Sequence, residues 1–158
     1  MEKKNWRSYA IFIALSLGVG FLAAGLTAGG TELYNNSLIK PSLAPPAIVF
    51  PIVWTVLYVL MGVSAAMIWN APESALRKKG LNLFVAQLIV NFFWSLIFFN
   101  AKDFLAAFVW LILLWVLILW KILTYYKLDK LAALLQVPYL LWVTFAGYLN
   151  FMVWRLNS

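Results

Sequence analysis

Residues 104–120 read FLAAFVWLILLWVLILW, an unbroken apolar run between Asp103 and Lys121. In lipid, every backbone amide of such a run must find its partner inside the segment, and an α-helix does this without closing a barrel. About 17 residues is the lower limit for crossing a hydrocarbon core of about 30 Å. Lys121 is expected to snorkel to the interface and lengthen the crossing. Four more runs carry no charge: 8–31, 41–72, 80–101 and 131–154. Each supplies the roughly 20 residues that a membrane helix needs. The fold class is therefore all-α membrane protein, a five-helix transmembrane bundle. Its spans are expected near 8–29, 46–69, 81–100, 104–124 and 130–154, in a single domain covering 1–158.

The chain is 65% hydrophobic, which leaves no room for a soluble domain beside five spans and their links. Its net charge of +7 raises the question of nucleic acid. The distribution answers it. Five spans put the termini on opposite sides. One side holds Lys3, Lys4, Arg7, Arg77, Lys78, Lys79, Lys121, Lys127 and Lys130; the other holds Lys40, Lys102 and Arg155. Such an asymmetry is the positive-inside pattern, so the basic excess faces anionic lipid and the N-terminus is expected in the cytoplasm. Membrane lipid is the expected partner, and nucleic acid is not. The first apolar stretch is longer than a signal peptide's hydrophobic region and is read as a retained span.

The chain has neither Cys nor His. No disulfide, no zinc or haem ligation through these residues, and no Ser–His or Cys–His nucleophile pair can be built. No metal site and no bound cofactor are expected. The acids Glu2, Glu32, Glu73, Asp103 and Asp129 all fall in loops or at ends. Proton-driven exporters usually keep an ionisable group inside the membrane, and none is read here.

The longest connection is the first, about 29–47, with Gly29, Gly30, Asn35, Asn36, Pro41, Pro45 and Pro46. It is read as a Pro-rich loop that lids one end of the bundle, with Lys40, Pro41, Ser42, Pro45 and Pro46 as the lid residues. A proline suits the first turn of a helix, so the second span is expected to start near Pro46. The other links are short and make sequential helices antiparallel neighbours. Pro51 and Pro138 lie within spans. Each is either a tolerated kink or a break that opens a cavity between helices. Gly25 and Gly29 form a G-x-x-x-G pair, read as close packing within the molecule or flexibility rather than a dimer seam.

Trp6, Trp69, Trp120 and Trp154 sit near span ends and suit an interfacial belt. Trp54, Trp94 and Trp142 lie deeper, where an indole N–H needs a partner. Three faces share helical spacing. Trp54, Tyr58 and Met61 lie on the second span. Gln87, Asn91, Trp94 and Ser95 lie on the third. Tyr139, Trp142, Ala146 and Asn150 lie on the fifth. Amides are costly in lipid and should point inward, where Gln87 and Asn91 alone suit helix–helix hydrogen bonding. Together with three deep indoles and small residues, they suggest an aromatic cavity for a flat apolar ligand.

These residues also carry a resemblance. Residues 38–46 read LIKPSLAPP and 49–58 read VFPIVWTVLY. Gln87, Asn91, Trp94, Ser95, Phe98 and Phe99 follow, then PYLLW at 138–142 with Ala146, Leu149 and Asn150. In this order, from about 34 to 157, the chain resembles the TspO/MBR family, the tryptophan-rich sensory proteins of bacteria and the mitochondrial translocator protein. The stretch YYKLDKLA at 125–132 is most similar to bacterial members. The resemblance implies a five-helix bundle, often a homodimer, in a bacterial cell-envelope membrane. It implies a receptor for protoporphyrin IX and haem-related tetrapyrroles, and for sterols and isoquinoline-type ligands. The implied pocket residues are Trp54, Gln87, Asn91, Trp94, Tyr139, Trp142, Ala146 and Asn150, and Tyr58 shares their face. Light-dependent porphyrin degradation through Trp54 and Trp142, and porphyrin transport, are the alternatives. Three positions depart from the family pattern. Leu43 replaces a lid tryptophan, LNFMVWR at 149–155 lacks the tyrosines of the animal sterol stretch, and Phe145 and Tyr148 place bulky rings beside Ala146.

Overall fold

A computed structural model describes residues 5–157. These residues contain no strand; they form seven α-helices and one π-helical turn. α1 spans Trp6–Leu26, α2 Ala28–Ser37, α3 Val49–Trp69, α4 Ala75–Ser95, α5 Phe104–Tyr126, α6 Lys130–Leu134 and α7 Val137–Asn157. The π turn, Leu96–Asn100, extends α4. Five helical segments are long and apolar enough to cross a membrane: α1, α3, α4 with its π turn, α5, and α6 with α7. The protein is a multi-pass membrane protein.

Side-chain caps start the helices that follow short links. Ser74 Oγ accepts from Arg77 N at 3.0 Å, and Asp103 Oδ1 accepts from Ala106 N at 3.1 Å. Asp129 Oδ1 accepts from Leu131 N and Ala132 N. Each carboxylate or hydroxyl satisfies amides that have no partner inside their own helix.

α5 is the central post, packed against α4, α6 and α7, while α1 lies along α3. The core face of α5 is Ala107, Leu111, Leu114, Ile118, Lys121 and Tyr125, all buried at alternating steps of four and three. That spacing keeps one stripe facing its neighbours. Gly62 allows the α1–α3 approach, because a Cβ there would fall on the backbone of Ile13. The backbones of α3 and α7 stay apart along most of their length, and aromatic side chains span the gap.

Four sequence expectations change. First, 28–37 is helical, so the open part of the first connection is only 38–48. Gly30 is a packing residue there: a Cβ would collide with the carbonyl oxygen of Phe99 in the π turn. Second, α3 starts at Val49. Pro46 lies one turn earlier, where its carbonyl accepts from Val49 N at 3.0 Å. Third, Pro51 falls in the first turn of α3, where a missing N–H costs nothing, so it does not kink a helix interior. Pro138 does interrupt its span: the fifth segment breaks at Leu135–Gln136, in the turn before it, where its ring and missing N–H disrupt the helix. Fourth, a Cβ at Gly25 or Gly29 would meet no neighbouring atom, so of the two readings of this pair close packing within the molecule does not hold.

Candidate functional site

The wide gap between α3 and α7 is filled by rings. Trp54, on the second turn of α3, is the hub. Its ring centroid lies 5.8 Å from Tyr58, 6.4 Å from Trp94, 6.3 Å from Tyr139 and 6.4 Å from Trp142. The Tyr139 and Trp142 contacts are edge-to-face, the favourable arrangement for ring quadrupoles. Trp94 and Tyr139 are buried, and Trp54 and Trp142 are partly buried. The structure thus brings together five of the nine residues assigned from sequence as one aromatic cluster, and the space between them is occupied by their own rings.

The other four hold this cluster in place. The Tyr139 hydroxyl donates to Gln87 Oε1 at 2.7 Å and accepts from Asn91 Nδ2 at 2.9 Å. Gln87 Nε2 donates to the Phe84 carbonyl at 3.0 Å. Trp94 Nε1 donates to Asn150 Oδ1 at 3.1 Å, and Asn150 Nδ2 donates to the Phe104 carbonyl at 2.8 Å. These amides strap α4, α5 and α7 together, because a buried amide must be paired. Ala146 is buried on the same face of α7.

Two of the three deep indoles meet different fates. Trp94 is paired through Asn150. The Nε1 of Trp142 is buried and has no partner. An unpaired buried N–H is costly, so such a group commonly marks a functional position. Trp142 also lines a groove of about 470 Å³ on the outer surface of the bundle between α3 and α7. Ile52, Val56, Pro138 and Leu141 form its exposed rim, and Leu57 lies deeper. This volume is within the roughly 300–1,000 Å³ usual for small-molecule sites. A second apolar groove, about 350 Å³, lies between α5 and α7 beside Trp115 and Gly147.

The element over the far end of the cluster is α2. Its Tyr34 packs against Phe50, Phe98 and Phe99 at 6.2, 5.8 and 5.9 Å. Phe50 in turn meets Trp142 at 5.9 Å, and Trp94 meets Phe98 at 5.4 Å. Burial pushes the Tyr34 phenol above its ordinary range, so it stays neutral. The expected lid residues lie farther out. Lys40 Nζ donates to the Asn35 carbonyl at 2.9 Å and sits over the Tyr34 ring at 5.4 Å. Pro41 is buried, while Ser42 and Pro46 are exposed and Pro45 is half-buried. The loop is fastened at Ile39, whose N–H and carbonyl both bond the Asn157 amide at 3.0 and 2.8 Å.

Sequence reasoning missed Tyr34, Phe50 and Asn157 as parts of this end. It also placed Lys121 at the membrane interface. Lys121 is fully buried, because it falls in phase with the core stripe of α5. It is the ionisable side chain inside the bundle that the sequence reading did not find.

The TspO/MBR family model matches residues 12–155. The chain is 41% identical to the tryptophan-rich protein TspO of Chlorobaculum tepidum, covering 98% of both chains. It is 38% identical to protein CrtK of Rhodobacter capsulatus, covering 92% of this chain and 95% of the relative. It is 36% identical to the translocator protein of Sus scrofa, covering 90% of this chain and 85% of the relative. A family match over nearly the whole chain, and relatives of matching length, place this five-span protein in the TspO/MBR family.

Proposed function

We propose that the protein is a membrane receptor for flat apolar molecules, tetrapyrroles foremost, seated against the Trp54–Trp142 cluster through the α3–α7 groove. One observation carries the reading: an unpartnered, buried indole N–H on a ring that forms both the wall of an open groove and the edge of a four-ring shell. Sterols and isoquinoline-type molecules share the chemistry of a rigid apolar body and fit the same reading. A tetrapyrrole adds a broad π face for stacking and ring nitrogens for the indole N–H. With neither His nor Cys in the chain, recognition does not use their ligation of a central metal, and the free-base porphyrin is sufficient.

The proposed protein acts as a homodimer, and its N-terminus lies in the cytoplasm, following the eight-to-three division of its basic residues once the buried Lys121 is set aside. Base–aromatic stacking is worth about 1–3 kcal/mol per ring, and about 1.4 kcal/mol is a factor of ten. Trp142→Ala is therefore expected to weaken protoporphyrin IX binding about tenfold, read by quenching of tryptophan fluorescence. Trp120→Ala is the control, since Trp120 is exposed under Lys79 at 4.8 Å and remote from the cluster. Equal weakening by the two substitutions would mean that the porphyrin adsorbs to the aromatic belt. Illumination with oxygen tests degradation at the same site: product lost in Trp54→Phe would make the receptor an enzyme.

A further inference from the structure

Lys121 takes no part in the aromatic cluster, yet it is fully buried. It lies about one and a half turns from the end of α5 at Tyr126, inside the bundle on the N-terminal side. Its Nζ donates to Gln136 Oε1 at 2.5 Å. It also faces the rings of Tyr139 at 5.3 Å and Tyr125 at 5.8 Å. All of these partners are neutral. None of the acids in the described residues is buried, and Asp129, the one near α5 and α6 in sequence, caps α6. A fully buried lysine amine among neutral partners has no counter-charge for its ionised form, and an intramembrane ionisable side chain facing a bundle interior marks a substrate or ion site by default.

The position of Gln136 says what kind of site. Its Nε2 donates across to the Leu60 carbonyl of α3 at 3.3 Å. That bond joins α3 to the break before α7. It lies one turn beyond the groove residues Val56 and Leu57 and two residues before the groove residue Pro138. Gln136 therefore closes the N-terminal-side end of the α3–α7 groove, with Lys121 directly behind it. Tyr139 connects the two regions, since its ring meets Trp54 at 6.3 Å and the ammonium at 5.3 Å.

We propose that the α3–α7 groove takes an apolar carboxylic acid, whose carboxylate displaces the Gln136 amide oxygen and pairs with the Lys121 ammonium. The inference rests on the groove being the ligand site and specifies its ligand class. A carboxylate oxygen replaces an amide oxygen on the same donor, so the hydrogen bond is kept and the missing counter-charge is supplied. The apolar body remains in the groove against Trp142. A porphyrin propionate and a fatty acid both offer this chemistry.

The test uses the full chain in nanodiscs and fluorescence quenching by protoporphyrin IX and by its dimethyl ester. Palmitate and methyl palmitate compete for the site in a second arm, which separates the two sources of the carboxylate. Wild type is expected to prefer the free acid over the ester about tenfold or more, the size of a charge-assisted hydrogen bond. Lys121→Met should abolish that preference while leaving ester affinity unchanged. Gln136→Leu removes the competing acceptor and should raise the acid-to-ester ratio above wild type, an opposite shift that a folding defect cannot produce. An acid-to-ester ratio unaltered in Lys121→Met, or not raised in Gln136→Leu, overturns the carboxylate pairing. Failure of wild type to bind either the acid or the ester overturns the groove as a ligand site, and this inference with it.

Discussion

Tyr139→Phe removes one oxygen from the centre of the bundle and leaves the ring in place. In the native protein that oxygen donates to Gln87 at 2.7 Å and accepts from Asn91 at 2.9 Å. All three side chains are at most 1% exposed, so no water replaces the lost partner. Interhelical hydrogen bonds in membrane proteins average about 0.6 kcal/mol with a maximum near 1.7 kcal/mol. Two such bonds give about 1–3 kcal/mol, and the orphaned Gln87 oxygen and Asn91 amide push the value toward the upper end. The ring contacts with Trp54 should survive, so the loss belongs to the polar network alone. The assay is reversible denaturation in mixed micelles, run as a double-mutant cycle with Gln87→Leu and Asn91→Leu together. In the wild-type background the substitution should destabilise by the stated amount; in the double-leucine background its cost should fall close to zero. A cost that persists without the two amides would refute the network as the reason.

Three further outcomes are expected. Gly30→Ala should loosen the docking of α2 on the π turn at a cost of about 1–3 kcal/mol, because the added methyl collides with the Phe99 carbonyl; faster hydrogen exchange across 28–37 reports it. Asn157→Ala removes both bonds to Ile39 and should speed exchange through 38–48, with a stability loss of about 1 kcal/mol. Reporter fusions at the two termini should place the N-terminus in the cytoplasm and the C-terminus opposite; a cytoplasmic C-terminal reporter would overturn the topology derived from basic-residue counts.

Much of the fold was legible because lipid leaves the backbone few options. Uninterrupted apolar runs force helices, and Asp or Ser just before such a run supplies the cap. Errors arose where a residue's role depends on its neighbours. Gly29 and Gly30 look like chain punctuation, yet both lie in a helix. Gly30 is small because another backbone passes close by, a fact held by Phe99, about seventy positions away. Pro51 misled in the same direction. It sits inside an apolar run, but its helix begins only two residues before it, where the missing amide is harmless.

The candidate site shows the same division. Its rings and amides could be found by spacing, since i, i+4 and i, i+7 partners share a face whatever the tertiary structure. What the spacing could not give was their use. Gln87, Asn91 and Asn150 are polar residues in apolar helices and invite reading as ligand contacts; Asn91 and Asn150 instead bond across helices, and Gln87 ties Tyr139 to the Phe84 carbonyl of its own helix. Lys121 is the sharper case. Ala107, Leu111, Leu114, Ile118, Lys121 and Tyr125 step by four and three, and Lys121 is in phase with the rest. The phase alone argued for burial. It was hidden because residues between these positions are also apolar, as they must be where the outward face meets lipid instead of water. In a soluble helix, a polar outward face would have identified the core stripe and placed the lysine in it. In a membrane helix only the partner reveals the face, and here the partner is Gln136, a polar residue at the break ahead of Pro138 whose inward direction follows from where α7 starts.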